Sequence, residues 1–533
     1  MTPTDSMFVS GSDEREGTGL PAIWHQVEIA AGQHPETVLL EDQQDRRMTA
    51  ADFRRAVLRV AAGFYELGVG PGTRVMWQLP TSIEAVVTCL AFHRLGAVQN
   101  PLIPVLREAE IGYFHRKFGS VLAVVPSEWR GFRHADVVRS FAGAGTVLEV
   151  DHRTAGPGEL ALPQADPALL PPPRPSDEPR WLYTTSGSTA RPKGVWHTDD
   201  SVLAASRSLD SQFTIGPDDI FPMAYPFAHI GGMVWLLTAL RTGARLVLFD
   251  VFDPATTPQA MARAGATLLG SATPFFAAAV AAQRKQAGER LFPRLRHCIG
   301  GGAPVHPDLH TAARDELGGA GVSNGYGLTE FPSIGYPPAD DDEAMRMSAW
   351  RPGQGVEIRI VDPQGRDVGM GEGELRLAGP QRCAGYLDPE TDGEPFDEFG
   401  FVRTGDLARR HGSAGLVRIT GRIKEIIVRN GENISMSEVE DALVEHPGVL
   451  DAAVVGRADT TRGEIVHALI VAEPGTLLDQ LTVDVLRAHC RARGLAPFKA
   501  PDSVQIVATL PRNAMGKLSR AELALLAGDS APS

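Results

Sequence analysis

Along the first part of the chain the apolar positions switch repeatedly between helical and strand spacing. Phe53, Ala56, Val57, Val60, Ala61, Phe64 and Leu67 fall on one face of a helix, with Thr49 and Asp52 forming a capping box before it and Gly68 ending it. Arg74–Leu79 reads as a strand and Ile83–Leu95 as a second apolar-faced helix. This alternation predicts an α/β fold, with a large N-terminal domain of layered α/β sheets in which parallel pairing dominates. No long period repeats, which excludes solenoids and propellers.

The texture changes twice further on. Pro-rich Ala168–Pro179 reads as an extended connector delivering the chain to the next strand. From 353 to 421 come short runs broken by glycine (VEIRIVD, GELRLAG, GLVRIT), which predict a small β-rich subdomain. The remainder has its own α+β pattern. Ser437 and Glu440 read as a second capping box, for a helix over Glu438–Glu445 that Pro447-Gly448 stops. Strands near 451–456 and 466–472, a helix near 478–493 and a strand near 503–508 follow. The expected division is a disordered lead-in over 1–20, an N-terminal domain over 21–421 that includes the β-rich subdomain at about 353–421, and a small C-terminal domain over 422–533.

Charge and cysteine usage narrow the function classes. The 533 residues carry 51 Lys+Arg against 65 Asp+Glu, a net charge of −14. So acidic a surface argues against nucleic acid as the main partner. Cys89, Cys298, Cys383 and Cys490 are too few and too scattered for a disulfide framework or a CxxC metal site, and a reducing, cytoplasmic compartment fits them. The opening MTPTDSMFVSGSDEREG has neither the basic start nor the apolar core of a signal peptide. Phe221–Leu240 runs 20 residues without Asp, Glu, Lys or Arg, near the length of a bilayer span. Pro222, Pro226, His229 and Gly231-Gly232 inside it predict instead a buried loop leading into a core helix, so no membrane span is expected.

Candidate chemistry is densest at Trp181–Gly194, WLYTTSGSTARPKG, where an apolar strand runs into a loop of hydroxylated residues and glycine and then a lysine. Backbone N–H groups and the hydroxyls of Thr184, Thr185, Ser186, Ser188 and Thr189 can cradle phosphate oxygens, with Lys193 adding positive charge. It is not a Walker A loop, because Lys193 is followed by Gly194 and preceded by Pro192. The segment resembles the first signature of the acyl-adenylate-forming superfamily, which holds acyl- and aryl-CoA ligases, peptide-synthetase adenylation domains and luciferases. Its other signatures appear downstream in order: Gly301-Gly302-Ala303-Pro304, Asn324-Gly325-Tyr326-Gly327-Leu328-Thr329-Glu330, Thr404-Gly405-Asp406, Gly421-Arg422-Ile423-Lys424-Glu425 with Asn430-Gly431-Glu432-Asn433, and Pro511–Lys517. The resemblance covers residues 20–525 and departs at Ala190, where the family loop carries glycine.

The resemblance implies a role for each motif residue. Thr185, Ser186, Gly187, Ser188, Thr189 and Lys193 would bind phosphate. Tyr326 would stack on adenine between Gly325 and Gly327, whose missing side chains let a flat base approach. Gly302, Ala303 and Pro304 would line its other side, and Asn324 belongs to the same nucleotide set. Thr329 would donate to phosphate and Glu330, a hard oxygen ligand, would hold Mg²⁺. Asp406 would accept from the ribose hydroxyls, Arg422 would assist at ribose or phosphate, and Lys424 would be the hinge between two domain arrangements. Asn430 and Gly431 would line the thiol channel, and Lys517 would neutralise charge developing on the carboxylate and α-phosphate.

His229 matches the gate between acyl pocket and thiol channel, and Tyr225, Phe227, Met233, Trp235 and Thr273 are expected to line the acyl pocket. That segment has no Asp for an α-ammonium and no Arg or Lys for a second carboxylate, so a neutral apolar acid is expected, aryl, alicyclic or medium-chain. The reading is an ATP- and Mg²⁺-dependent carboxylate–CoA ligase, monomeric or homodimeric. Alternatives are an enzyme that loads the phosphopantetheine thiol of an acyl-carrier protein, a relative using another nucleophile or oxyacid, and a catalytically silent nucleotide-binding protein. The intact set Glu330, Asp406, Arg422 and Lys517 speaks against the last.

Overall fold

The computed structural model describes residues 22–528 except 142, 144, 155, 157–158, 186–191, 271, 287, 302–304, 306, 338–348, 412–414, 430–431, 460 and 513–516. The local signals of the first region hold. Helix Ala50–Glu66 starts at Thr49, whose side chain accepts from the Asp52 amide while Asp52 reaches back, and it buries Phe53, Val57, Val60, Ala61 and Phe64. Helix Ile83–Arg94 is buried along its whole length, which suits its near-continuous apolar sequence.

Three sheets form the large α/β region. The largest runs in the order Gly385–Tyr386, Gly194–His197, Trp181–Thr184, Val98–Pro101, Arg74–Trp77, Leu122–Val125, Thr146–Glu149. Its last five strands are parallel, while Gly194–His197 turns back antiparallel on Trp181–Thr184 and Gly385–Tyr386 closes the edge antiparallel. A second sheet orders Arg47–Thr49, Val38–Asp42, Arg245–Leu248, Ile220–Met223, and a third, all parallel, orders Leu268–Leu269, His297–Gly301, Val322–Gly325. One continuous apolar cluster joins the helices to the first two sheets. Phe221–Leu240 divides into strand Ile220–Met223, a loop and the buried helix Ile230–Thr242. Among the described residues no helix is long and apolar enough to cross a membrane.

The glycine-broken runs pair into an antiparallel sheet, Glu357–Val361, Glu372–Ala378, Val402–His411, Leu416–Arg422, with its own core around Ile360, Leu375, Leu377 and Val417. Beyond it, a long hairpin of Val449–Asp459 and Gly463–Ala472 carries Ile426–Arg429, Glu432–Ser435 and Ser503–Ile506, and packs helices Met436–Val444 and Val483–Ala492 over a separate core.

Two local expectations change here. The cap of helix Met436–Val444 is Ser435, not Ser437, and Ser437 bonds the Ser435 hydroxyl instead. Glu440 does not return to the cap; its carboxylate takes the Val454 amide and Arg520. The helix expected over 478–493 starts later, at Thr482, after a short 3₁₀ turn at Leu478–Gln480.

Candidate active site

Parallel sheets present their ligand-facing loops at the carboxyl ends of their strands. Four such ends carry segments singled out in the sequence: Thr184 before the hydroxylated loop, Met223 before the His229 loop, Gly301 before residues 302–304, and Gly325 before Tyr326. Thr185 and Lys193 close the base of the loop, the Thr185 amide donating to the Lys193 carbonyl at 2.9 Å. Ser186, Gly187, Ser188, Thr189 and Ala190 lie outside the described residues, as do Gly302, Ala303, Pro304, Asn430 and Gly431.

Asp406 and Arg422 are register partners on adjacent antiparallel strands, and Gly405 supplies a positive φ of +69° within strand Val402–His411, where its register with Glu372–Ala378 shifts. The Asp406 carboxylate is 2 % exposed. Its Oδ1 accepts from Arg422 Nε at 2.8 Å and its Oδ2 accepts from the Tyr326 hydroxyl. Burial pushes the Asp406 carboxyl above its ordinary value, against Arg422 and Tyr326, which favour the charged form. A carboxylate has about four lone-pair positions, so two remain for further donors. Trp350 stacks on Tyr326 with centroids 5.1 Å apart and planes 16° apart, covering one face of that ring.

The glycines beside Tyr326 also have a packing role inside the protein. A side chain at Gly325 would stand 2.2 Å from the Tyr336 ring, and one at Gly327 would meet the Ser333 amide at 3.0 Å. Packing inside the protein leaves no room for a side chain at Gly325 and little at Gly327, whatever lies on Tyr326. Asn324, at the end of the same strand, keeps a buried Oδ1 with no hydrogen-bond partner among the described residues.

Thr329 and Glu330 are held from two sides by residues outside the sequence motifs. His197 is fully buried, and its Nε2–H donates to the Thr329 carbonyl at 2.7 Å while Nδ1 faces the Ser201 hydroxyl at 2.9 Å. Burial lowers the His197 pKa to about 4, against the pull of that carbonyl, so the ring stays neutral. Tyr386 donates its hydroxyl to Glu330 Oε1 at 2.8 Å. Lys193 Nζ lies over the Tyr386 ring, 4.4 Å from its centroid, and donates to the Asp392 carbonyl at 2.9 Å.

Lys517, from the C-terminal region, reaches this cleft. Burial lowers its ammonium pKa and Arg422 lowers it further, while Asp406, Glu330 and Glu425 work the other way. His229 caps helix Ile230–Thr242, its Nδ1 accepting from the Gly231 amide at 3.1 Å. Its pKa falls to about 4 through burial and the charge of Lys517. The structure thus brings Tyr326, Glu330, Asp406, Arg422, His229 and Lys517 to one cleft, while Lys424 sits exposed on the turn that follows Arg422.

Tyr225, Phe227, Met233 and Trp235 are all buried in the central cluster. Phe227 stacks on Trp77 and Trp235 lies flat on Phe221, centroids 3.7 Å apart, while Thr273 opens helix Thr273–Lys285. Thr81 fixes the loop between them, donating its hydroxyl to the Tyr225 carbonyl at 2.8 Å and accepting from the Phe227 amide at 2.9 Å. Thr81, His197, Trp350 and Tyr386 belong to none of the sequence motifs. A partial signal existed for two: His197 lies three residues past the hydroxylated loop's Gly194, and Tyr386 follows a Gly, as Tyr326 does.

Known proteins share this sequence family and fold. Residues 27–387 match the family model described as AMP-binding enzyme, and residues 438–517 that of the AMP-binding enzyme C-terminal domain. Over 504 residues the chain is 34% identical to 3-[(3aS,4S,7aS)-7a-methyl-1,5-dioxo-octahydro-1H-inden-4-yl]propanoyl:CoA ligase of Mycobacterium tuberculosis (strain ATCC 25618 / H37Rv), covering 90% of this chain and 94% of that protein. Over 513 residues it is 30% identical to medium-chain fatty-acid–CoA ligase of Escherichia coli (strain K12), covering 94% and 89%. The crystal structure of ATP-bound MatB from Rhodopseudomonas palustris matches with a TM-score of 0.81 at 27% identity, covering 94% of this chain and 99% of that one. With its motifs in order and their side chains converging on one cleft, the chain belongs to the AMP-binding enzyme family and is an AMP-forming acid–thiol ligase of the acyl-adenylate-forming superfamily.

Proposed function

We propose that this protein is a cytoplasmic carboxylate–CoA ligase for a neutral, apolar acid, aryl, alicyclic or medium-chain. In the first step a carboxylate oxygen attacks the α-phosphorus of ATP, the bond to the β-phosphate oxygen breaks, and pyrophosphate leaves. In the second, the CoA sulfur attacks the acyl carbon, the thiol proton is lost, and AMP departs with the bridging oxygen. The observation that carries the reading is the convergence of Asp406, Arg422, Tyr326 and Lys517 around one cleft beside His229.

In this reading Asp406 uses its two remaining lone-pair positions for the ribose hydroxyls, and Tyr326 offers the base the face that Trp350 does not cover. Lys517 neutralises charge that grows on the α-phosphate and carboxylate oxygens, in a site dry enough to depress its own pKa. Lys193 and Thr185, with the loop between them, take the outer phosphates. Glu330 fits a Mg²⁺ ligand: it is an oxygen donor with Oε1 already oriented by Tyr386. Among the described residues no group of three or more His, Cys, Asp or Glu could hold a metal, and Mg²⁺ commonly relies on one or two carboxylates plus substrate phosphates. Mg²⁺ supplies charge neutralisation at those phosphates when bound.

The neutral-acid reading rests on Tyr225, Phe227, Met233 and Trp235, none of which brings charge to the loop that ends at His229. The turn at Lys424 is the proposed hinge, dividing 21–421 from 422–533, and Asn430 and Gly431 are proposed to line the thiol channel. Four buried free cysteines fit a reducing compartment. A pyrophosphate-release assay over a panel of acids, run with and without CoA, tests the reading. Fastest release with neutral apolar acids and CoA-dependent turnover is expected. Preference for a free amino acid, or turnover only with a carrier protein or an amine, would replace it.

A further inference from the structure

Lys193 and Glu330 bring opposite charges into one cleft from different parts of the fold. Lys193 precedes strand Gly194–His197, and Glu330 lies in the turn after strand Val322–Gly325. Unlike charges in a partly dry cleft attract strongly. A direct pair would bury each against the other, and an incoming triphosphate with its metal would have to pull them apart.

Tyr386 gives each of them another partner. Its hydroxyl donates to Glu330 Oε1 at 2.8 Å, and the face of its ring takes the Lys193 ammonium 4.4 Å from the centroid. The backbone holding that ring is stitched on two sides. The Cys383 amide donates to the Glu330 carbonyl at 2.9 Å, while the Ala384 and Leu387 amides donate to the Trp196 and Gly194 carbonyls at 2.7 and 2.8 Å. Tyr386 is therefore fixed to the Glu330 turn and to the strand that follows Lys193 at once.

We propose that Tyr386 is a positioning residue that orients the Glu330 carboxylate for the metal and keeps Lys193 from pairing with it, so that both groups stand ready for the triphosphate. This rests on the reading of Glu330 as a Mg²⁺ ligand and Lys193 as a phosphate-binding group.

The test is calorimetric titration of ATP into the full-length protein without any acid, so that nothing turns over, across a range of Mg²⁺ concentrations. Tyr386→Phe keeps the ring but loses the hydroxyl. The Mg²⁺ concentration giving half-maximal ATP affinity should rise about tenfold, as expected for a lost hydrogen bond to a charged group, with ATP affinity at saturating Mg²⁺ changed less than about twofold. Tyr386→Leu should in addition weaken ATP binding about fivefold at saturating Mg²⁺, because Lys193 is released to pair with Glu330. In a Glu330→Gln background, Tyr386→Phe should add nothing, and this cycle stands even if the leucine variant does not fold. If Glu330→Gln shifts the Mg²⁺ dependence and Tyr386→Phe does not, the positioning role is overturned and the metal reading stands. If Glu330→Gln leaves the Mg²⁺ dependence unmoved, the metal reading fails and takes this inference with it.

Discussion

At Asp406 opposite charges meet directly, whereas at Glu330 a tyrosine stands between the carboxylate and the nearby lysine. Asp406 is buried and bonded to Arg422 on the next strand and to Tyr326, itself stacked on Trp350. Asp406 and Arg422 are held opposite each other by strand pairing, and Tyr326 is held by stacking. Glu330 and Lys193 sit beside the ends of strands, and the Tyr386 side chain touches both. The first arrangement suits a part of the substrate that is held the same way throughout. The second suits phosphates that arrive with a metal and leave as pyrophosphate, since neither charge has to be pulled from an ion partner when they bind. Lys517 feels the charges of both clusters and comes from the C-terminal region.

The largest effect is expected at that lysine. Lys517→Ala should slow acyl-adenylate formation by ~3–4 kcal/mol, a few hundredfold, yet still make thioester from synthetic acyl-AMP. Equal loss of both half-reactions in a folded variant would show that the lysine serves both clusters at every stage.

Asp406→Asn should cost about 2 kcal/mol in adenylation, and it should also lower the melting temperature because the half-exposed Arg422 loses its buried partner. Glu330→Gln should slow adenylation without a comparable drop in melting temperature. Equal melting penalties would erase the contrast between the clusters.

His197 sharpens the phosphate side through pH. Its folded pKa of about 4 lies below the ordinary 6.5, so the unfolded chain binds the proton first as pH falls. Stability is full above pH 6.5 and should decline by about 2 kcal/mol between pH 6.5 and 5 from this group. Chemical denaturation of His197→Gln across that window should show a flatter acid limb, and an unchanged limb would refute the assignment.

The smallest change concerns the glycine beside Tyr326. Gly325→Ala should destabilise by about 1–2 kcal/mol through contact with Tyr336, and Tyr336→Leu should recover part of it. Loss of nucleotide affinity with unaltered stability would instead mean that the glycine faces the base.

Nearest-neighbour physics made much of this protein legible in its sequence. Thr49 and Asp52 cap a helix because the bonds span only three residues, and the apolar face from Phe53 to Phe64 is buried because its period matches the helix. The motif residues were legible because each run delivers several functional groups at one strand end or turn, and family resemblance attached roles to them. Where two local solutions compete, sequence could not choose. Ser435 and Ser437 both fit a cap, and pairing of Glu432–Ser435 with Ile426–Arg429 set the helix start, while Glu440 found Arg520 80 residues away. The supporting residues are of the same kind. Thr81 meets Tyr225 across 144 residues, His197 meets Thr329 across 132, and Tyr386 meets Glu330 across 56. A lone threonine, histidine or tyrosine has no period and no fixed spacing to reveal it. Its role exists only once the sheets have brought distant strand ends together, because a hydrogen bond is decided by a few tenths of an ångström in space and not by position along the chain.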